Sequence, residues 1–146
     1  MQPITQNKKR IKVQHIIGGG ATQVDINRNI QLPATVRKIV DIHTEIVELD
    51  YEIIPNKVII KGALHKQIYY VEEGDYVVKE FTVMREEFTD FVHIHGARPD
   101  MEALLDGHVL FVNTSPASGD FPTNMLYQAA VLAVDVRVVE CLTLDV

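Results

Sequence analysis

The chain has 146 residues, 47% of them apolar, with no tryptophan, one cysteine and a formal charge of −6. That length and composition describe one globular domain able to bury a core. They exclude a disordered or collagen-like chain, and no apolar run is long enough to cross a bilayer as a helix. The single cysteine, Cys141, excludes an intramolecular disulfide, so packing alone must hold the fold.

Charge is unevenly placed. Residues 1–24 hold Lys8, Lys9, Arg10 and Lys12 and no acid, whereas the rest carries ten bases against twenty acids. So acidic a body argues against nucleic acid as a partner. The basic start suits contact with the acidic body of another copy; a solvated tail is the plainer alternative. The first ten residues lack the apolar core of a secretory signal. Cytoplasmic synthesis is therefore expected, with release by lysis of the producing cell left open.

Along the chain the dominant period is two, the pattern of half-buried strands. Ile11, Val13 and Ile17 alternate with Lys12 and Gln14, and Gly18, Gly19 and Gly20 then read as a hinge or tight turn. Val24, Ile26, Ile30 and Leu32 continue the alternation, with Arg28 out of place among them and Pro33 closing the run. From Val36 to Ile54 the apolar face switches near Ile46–Val47, which predicts a β-bulge or a strand that changes sheets. Pro55 and Asn56 make a turn, Val58 to Tyr70 a long strand, and Glu72-Glu73-Gly74-Asp75 a hairpin loop. Further strands are expected around Val77–Val83, Phe88–Ile94 and Met101–Phe111, with a single helical turn possible over Met84–Asp90. Residues 113–124 read as a loop. The last strand carries Leu132, Val134, Val136, Val138, Leu142, Leu144 and Val146 on one face, interrupted by Glu140. About eight strands suggest an all-β, two-sheet β-sandwich of jelly-roll type. Residues 1–20 would form a basic N-terminal strand arm with a glycine hinge, and residues 21–146 the sandwich.

Chemistry is harder to find. His93 and His95 are two apart, so on a strand they share a face as metal ligands often do, yet two histidines leave a site incomplete. His15, His43, His65 and His108 read as surface residues. Cys141 lacks an electropositive setting, Ser115 and Ser118 lack a nucleophile elbow, and Glu72–Glu73 reads as a loop tip. The glycine triplet lacks the lysine spacing of a phosphate loop. No catalytic residue, metal site or cofactor is expected, and the chain reads as no enzyme.

Two segments carry a resemblance. Gly62-Ala63-Leu64-His65-Lys66-Gln67-Ile68-Tyr69-Tyr70-Val71 resembles a strand of the SPOCS (spore-coat-assembly) domain family of spore-forming Firmicutes. Phe88-Thr89-Asp90-Phe91-Val92-His93-Ile94-His95-Gly96-Ala97-Arg98-Pro99-Asp100-Met101 is similar to that family's Phe-x-x-Phe-x-x-(Ile or Leu)-x-Gly-Ala-x-Pro-Gly-Met segment, with Asp100 where the family usually has glycine. Ile11 to Gly18 with Gln23-Val24 looks like the lead-in of members with a paired or extended domain. The chain has no room for the LysM wall-binding module of the familiar morphogenesis member. The resemblance implies a structural role in layers deposited around the spore by the mother cell, with no catalytic residues to transfer.

The expected mechanism is self-association into a homo-oligomer, ring or filament, alone or with other spore-coat proteins, and without nucleic acid or membrane insertion. In it the arm residues Ile11, Val13, Ile16 and Ile17, swung on Gly18–Gly20, add to the sheet edge of a neighbouring copy. The arm could instead fold back on its own sheet. Two rival readings are a carbohydrate- or small-ligand-binding module using Tyr51, Tyr69, Tyr70, Tyr76 and Tyr127, and a metal-dependent enzyme using His93 and His95.

Overall fold

The computed structural model describes residues 10–145, Asp145 by its backbone only. Lys8 and Lys9 of the basic start lie outside the described residues. Five strands follow one another: β1 (Arg10–Ile54), β2 (Lys57–Glu72), β3 (Val78–His93), β4 (Glu102–Pro116) and β5 (Thr123–Asp145). All are antiparallel neighbours in one sheet of order β3-β2-β1-β5-β4. No helix among the described residues is long and apolar enough to cross a membrane.

A single five-stranded sheet corrects the expected two-sheet sandwich or jelly roll. The reason lies in β1, whose 45 residues do not stop at the punctuation the sequence offers. Residues 10–36 pair with β5 and residues 36–54 with β2, so one strand hydrogen-bonds both wings into one sheet. Pro33 falls in the irregular stretch between Gln31 and Val36, where a missing N–H removes no ladder bond. Gly18–Gly20 stay in the ladder opposite Val138, Arg137 and Val136. They make room rather than a turn: a Cβ on Gly18 would lie 2.9 Å from Ile94 Cγ2, and one on Gly20 2.7 Å from Val92 Cγ1. Met84–Asp90 is part of β3, not a helical turn. The face switch near Ile46–Val47 is a bulge, with Val47 the extra, exposed residue.

Each wing has three strands. One comprises β4, β5 and the first part of β1; the other comprises the rest of β1, β2 and β3. Their inward side chains meet in a large cluster that includes Val24, Ile60, Leu64, Phe88, Leu132 and Val134. A smaller cluster gathers Ile30, Leu32, Val36, Ile68, Tyr70 and Leu126. A row of polar residues separates them. Along β1, Arg28 lies between Ile26 and Ile30, and Thr44 between Ile42 and Ile46; Lys66 lies between Leu64 and Ile68 on β2, and Gln128 between Leu126 and Ala130 on β5. Arg28 is directly opposite Gln128, Gln128 opposite Thr114, and Thr44 opposite Lys66. Glu86 of β3 joins the row by lying 2.7 Å from Lys66 Nζ and 3.4 Å from Arg28 Nε. The arginine that looked misplaced in the sequence thus belongs to a polar layer crossing the interior.

Candidate association surface

At one end, β1 and β5 outrun their neighbours. β4 begins pairing at Glu102 opposite Val139, so β5 beyond that point pairs only with β1. Residues 10–15 of β1 and 140–145 of β5 form a two-stranded ribbon, a unit marginal in water when left alone. Directly opposed residues share a face. Ile11 therefore sits beside Leu144 and Val13 beside Leu142, while Lys12 with Thr143 and Gln14 with Cys141 occupy the other face. The apolar face continues the inward row Val134, Val136, Val138 past the end of the opposite wing. All four of its aliphatic side chains are 37–48% exposed.

Ile16 is also exposed; Ile17 is half-buried against Gly96, whose would-be Cβ lies 3.2 Å from Ile17 Cγ2. Glu140, the interruption in the last strand, accepts from Arg98 at 3.0 Å where the ribbon leaves the body. The arm residues Ile11, Val13, Ile16 and Ile17 thus lie together on β1; Ile11, Val13 and Ile16 pair with β5 of the same chain, and Ile17 falls in the bulge between Ile16 and Gly18.

The open edge along the later part of β1 is charged. Beyond Val36, β1 pairs only with β2 among the described residues, and that part carries Asp41, Glu45, Glu48, Asp50 and Glu52. Several are engaged: Glu52 contacts Lys61 Nζ at 3.4 Å, Glu48 pairs with Arg85, and Asp50 accepts from the Tyr51 amide at 2.8 Å. The turn before β3 is closed by Asp75, whose carboxylate accepts from the amides of Tyr76 and Val77, holding its pKa below the usual 3.8.

His93 ends β3 with its ring edge-on to Phe91 at 5.3 Å, and His95 lies in the following turn, so they share no strand face. The three-ligand group that the described residues do assemble is Asp106, His108 and Asp135, exposed on β4 and β5. Asp106 and His108 are two apart, but Asp135 joins them only through the β4–β5 register, which the sequence does not display. The tyrosines make no stripe either. Tyr70 is buried, Tyr51 and Tyr69 are half-buried, and Tyr76 projects at 90% exposure with the Arg37 guanidinium 5.7 Å from its ring centre.

The two segments that carry the family resemblance interlock. A Cβ on Gly62 would meet Phe88 Cζ at 2.3 Å and Glu48 O at 2.9 Å, so the glycine of one segment is the seat for the aromatic ring of the other. Downstream, Gly96 takes a φ of 90°, and Ala97 and Met101 are buried. Asp100 lies in the turn without a positive φ, so glycine is not required there. A model of the family described as SipL, SPOCS domain, matches residues 35–116. The chain belongs to this family. The matched span holds the later part of β1 together with β2, β3 and β4, while the ribbon and β5 lie outside it. No curated protein and no solved structure gives a significant match. Membership of the SPOCS family ties the chain to a structural role in spore-coat assembly.

Proposed function

We propose that this SPOCS chain is a non-catalytic subunit of the spore's outer layers that associates with further copies of itself through the β1–β5 ribbon. The observation that carries the reading is the apolar ribbon face of Ile11, Val13, Leu142 and Leu144, left uncovered where the opposite wing ends. Charge supports a second copy as its cover. The chain start is basic, the body strongly acidic, and the later part of β1 offers an open acidic edge. Ribbon on edge is a head-to-tail contact, which yields a ring if it closes and a filament if it does not. Other coat proteins with open acidic strands would be received in the same way.

The test is light scattering after size exclusion on the full chain and on Val13→Glu/Leu142→Glu. The wild type is expected to form oligomers that the double variant loses while keeping its strand circular dichroism. A wild type that stays monomeric at about millimolar concentration, or a variant that assembles equally well, removes the reading.

A further inference from the structure

The ladder between β4 and β5 sets two acids face to face. Asp106 lies directly opposite Asp135. Among the described residues no other acid faces an acid across a strand pair: Asp50 faces Lys61, Glu45 faces His65 and Glu140 faces His15. Like charges directly opposed in a sheet are destabilising. No base relieves this pair. Arg137 is two residues along β5 on the same face, yet it makes no ion pair with either carboxylate. Neither aspartate has a hydrogen-bond or ionic partner among the described residues.

His108 completes the group. It is two residues from Asp106 and so shares its face. One ligand atom from each of Asp106, His108 and Asp135 lies within 4.8 Å of the other two, and all three residues are exposed. His108 is as unpartnered as the aspartates among the described residues. The backbone beneath them is pinned from inside. A Cβ on Gly107, between the two β4 ligands, would lie 2.6 Å from Leu49 Cδ1 and 3.1 Å from Ile46 Cδ1. Val134, opposite Gly107 and next to Asp135, is fully buried. Sites built on such paired strands hold their geometry better than sites on loops. The cross-strand neighbours are small, Ala133 facing His108 and Ala21 facing Asp135. A depression of about 520 Å³ has both aspartates in its wall.

The donor set selects the ligand. Two carboxylates and a dication cancel in charge, which removes the repulsion across the ladder. Calcium and magnesium take oxygen ligands, whereas an imidazole nitrogen beside carboxylates suits zinc. Zinc bonds of about 2.1 Å in a tetrahedron put ligand atoms about 3.4 Å apart. Rotation of three exposed side chains covers the difference.

We propose that Asp106, His108 and Asp135 form a zinc site, with one imidazole nitrogen and one oxygen from each carboxylate on the ion and water completing its shell. β4 is the last strand of the sheet and its only ladder partner is β5, so the ion ties an outer strand to the body. The site is on the body rather than the ribbon, and it does not depend on self-association.

Calorimetry of zinc chloride into the full chain, free of any affinity tag and with calcium chloride as the control, tests this. One zinc per chain is expected, and calcium should bind at least about 10-fold more weakly, because it gains little from the imidazole. At zinc about 100-fold above its Kd the unfolding midpoint should rise by up to about 9 °C for a chain of this length. Asp135→Asn and His108→Ala, both at exposed positions, should each weaken zinc binding at least about 10-fold. Without metal, Asp135→Asn should melt about 1–3 °C above the wild type, since it removes the like-charge pair. With zinc that order should reverse. No heat from zinc at about 1 mM overturns the proposal. So does calcium that binds as tightly, affinity unchanged in both variants, or an order of melting points that zinc leaves as it was.

Discussion

Removing one partner of the Lys66–Glu86 pair should be among the most damaging single changes this fold can suffer. Lys66 is fully buried, and among the described residues its ammonium has Glu86 Oε2 at 2.7 Å as its only charged contact. Glu86 has a second one, since Arg28 Nε lies 3.4 Å from its other oxygen and the Arg28 side chain is 57% exposed. Breaking a buried pair costs about 3–5 kcal/mol because the surviving charge is stranded. The asymmetry of partners decides which end of that range applies. Lys66→Met leaves Glu86 facing a water-accessible arginine, so about 3 kcal/mol is expected. Glu86→Gln leaves a fully buried lysine ammonium without its anion, so about 5 kcal/mol is expected. Lys66→Met/Glu86→Leu removes both charges and joins the two apolar clusters, and should lie within about 1 kcal/mol of the wild type. Urea unfolding of the four proteins under monomeric conditions measures all three differences. If the two single costs sum to the double cost within about 0.5 kcal/mol, the residues are not coupled and the reasoning fails.

Two further predictions concern the resemblance segments and the β2–β3 turn. Gly62→Ala should cost about 3 kcal/mol, the upper end for overpacking, because its Cβ would fall 2.3 Å from Phe88 Cζ with backbone close behind; adding Phe88→Leu should recover part of it in thermal unfolding, and no recovery would mean that backbone strain sets the cost. Asp75 has a folded pKa below 3.8 because the Tyr76 and Val77 amides donate to its carboxylate. Its contribution is therefore complete above the unfolded value and is lost as the pH falls through the lower folded value. Amide exchange at Tyr76 and Val77 should quicken relative to the intrinsic rate across that acidic window, and Asp75→Asn should abolish the pH dependence.

The sequence showed its strands more plainly than its sheet. Period-two alternation marked most of the chain as strand, and the parity switch at Ile46–Val47 located the β1 bulge, but β1 read as several strands, Met84–Asp90 as a helical turn and residues 113–116 as loop. What misled was punctuation. A glycine triplet and a proline each end most strands, yet here the glycines admit Ile94 and Val92, and Pro33 sits where the ladder is already irregular. Those reasons come from residues sixty or more positions away, which no local pattern contains. Arg28 was visible as an anomaly, but its explanation needed Glu86 and Lys66 from two other strands. Asp135 joins Asp106 and His108 for the same reason, through register alone. The ribbon was half legible: Ile11 and Val13 stood out as an amphipathic strand, but nothing local marked Leu142 and Leu144 as their partners.

An open five-stranded sheet leaves several strand edges unpaired, and each such edge invites unwanted pairing unless something discourages it. The later part of β1 bears acids at Asp41, Glu45, Glu48, Asp50 and Glu52, and β3 bears Lys79, Glu80, Arg85, Glu87 and Asp90. β4 exposes Leu104, Leu110 and Phe111, but a bulge between Val109 and Phe111 breaks its hydrogen-bonding line. The ribbon has no bulge from Arg10 to Ile16 and its inward face is aliphatic, while its charges are of both signs, Arg10 and Lys12 on β1 against Glu140 and Asp145 on β5. The proposed self-association uses this ribbon because its apolar face lies where the opposite wing ends. That position, more than exposure alone, is why substitution at Val13 and Leu142 should abolish assembly while comparable changes on β3 should not.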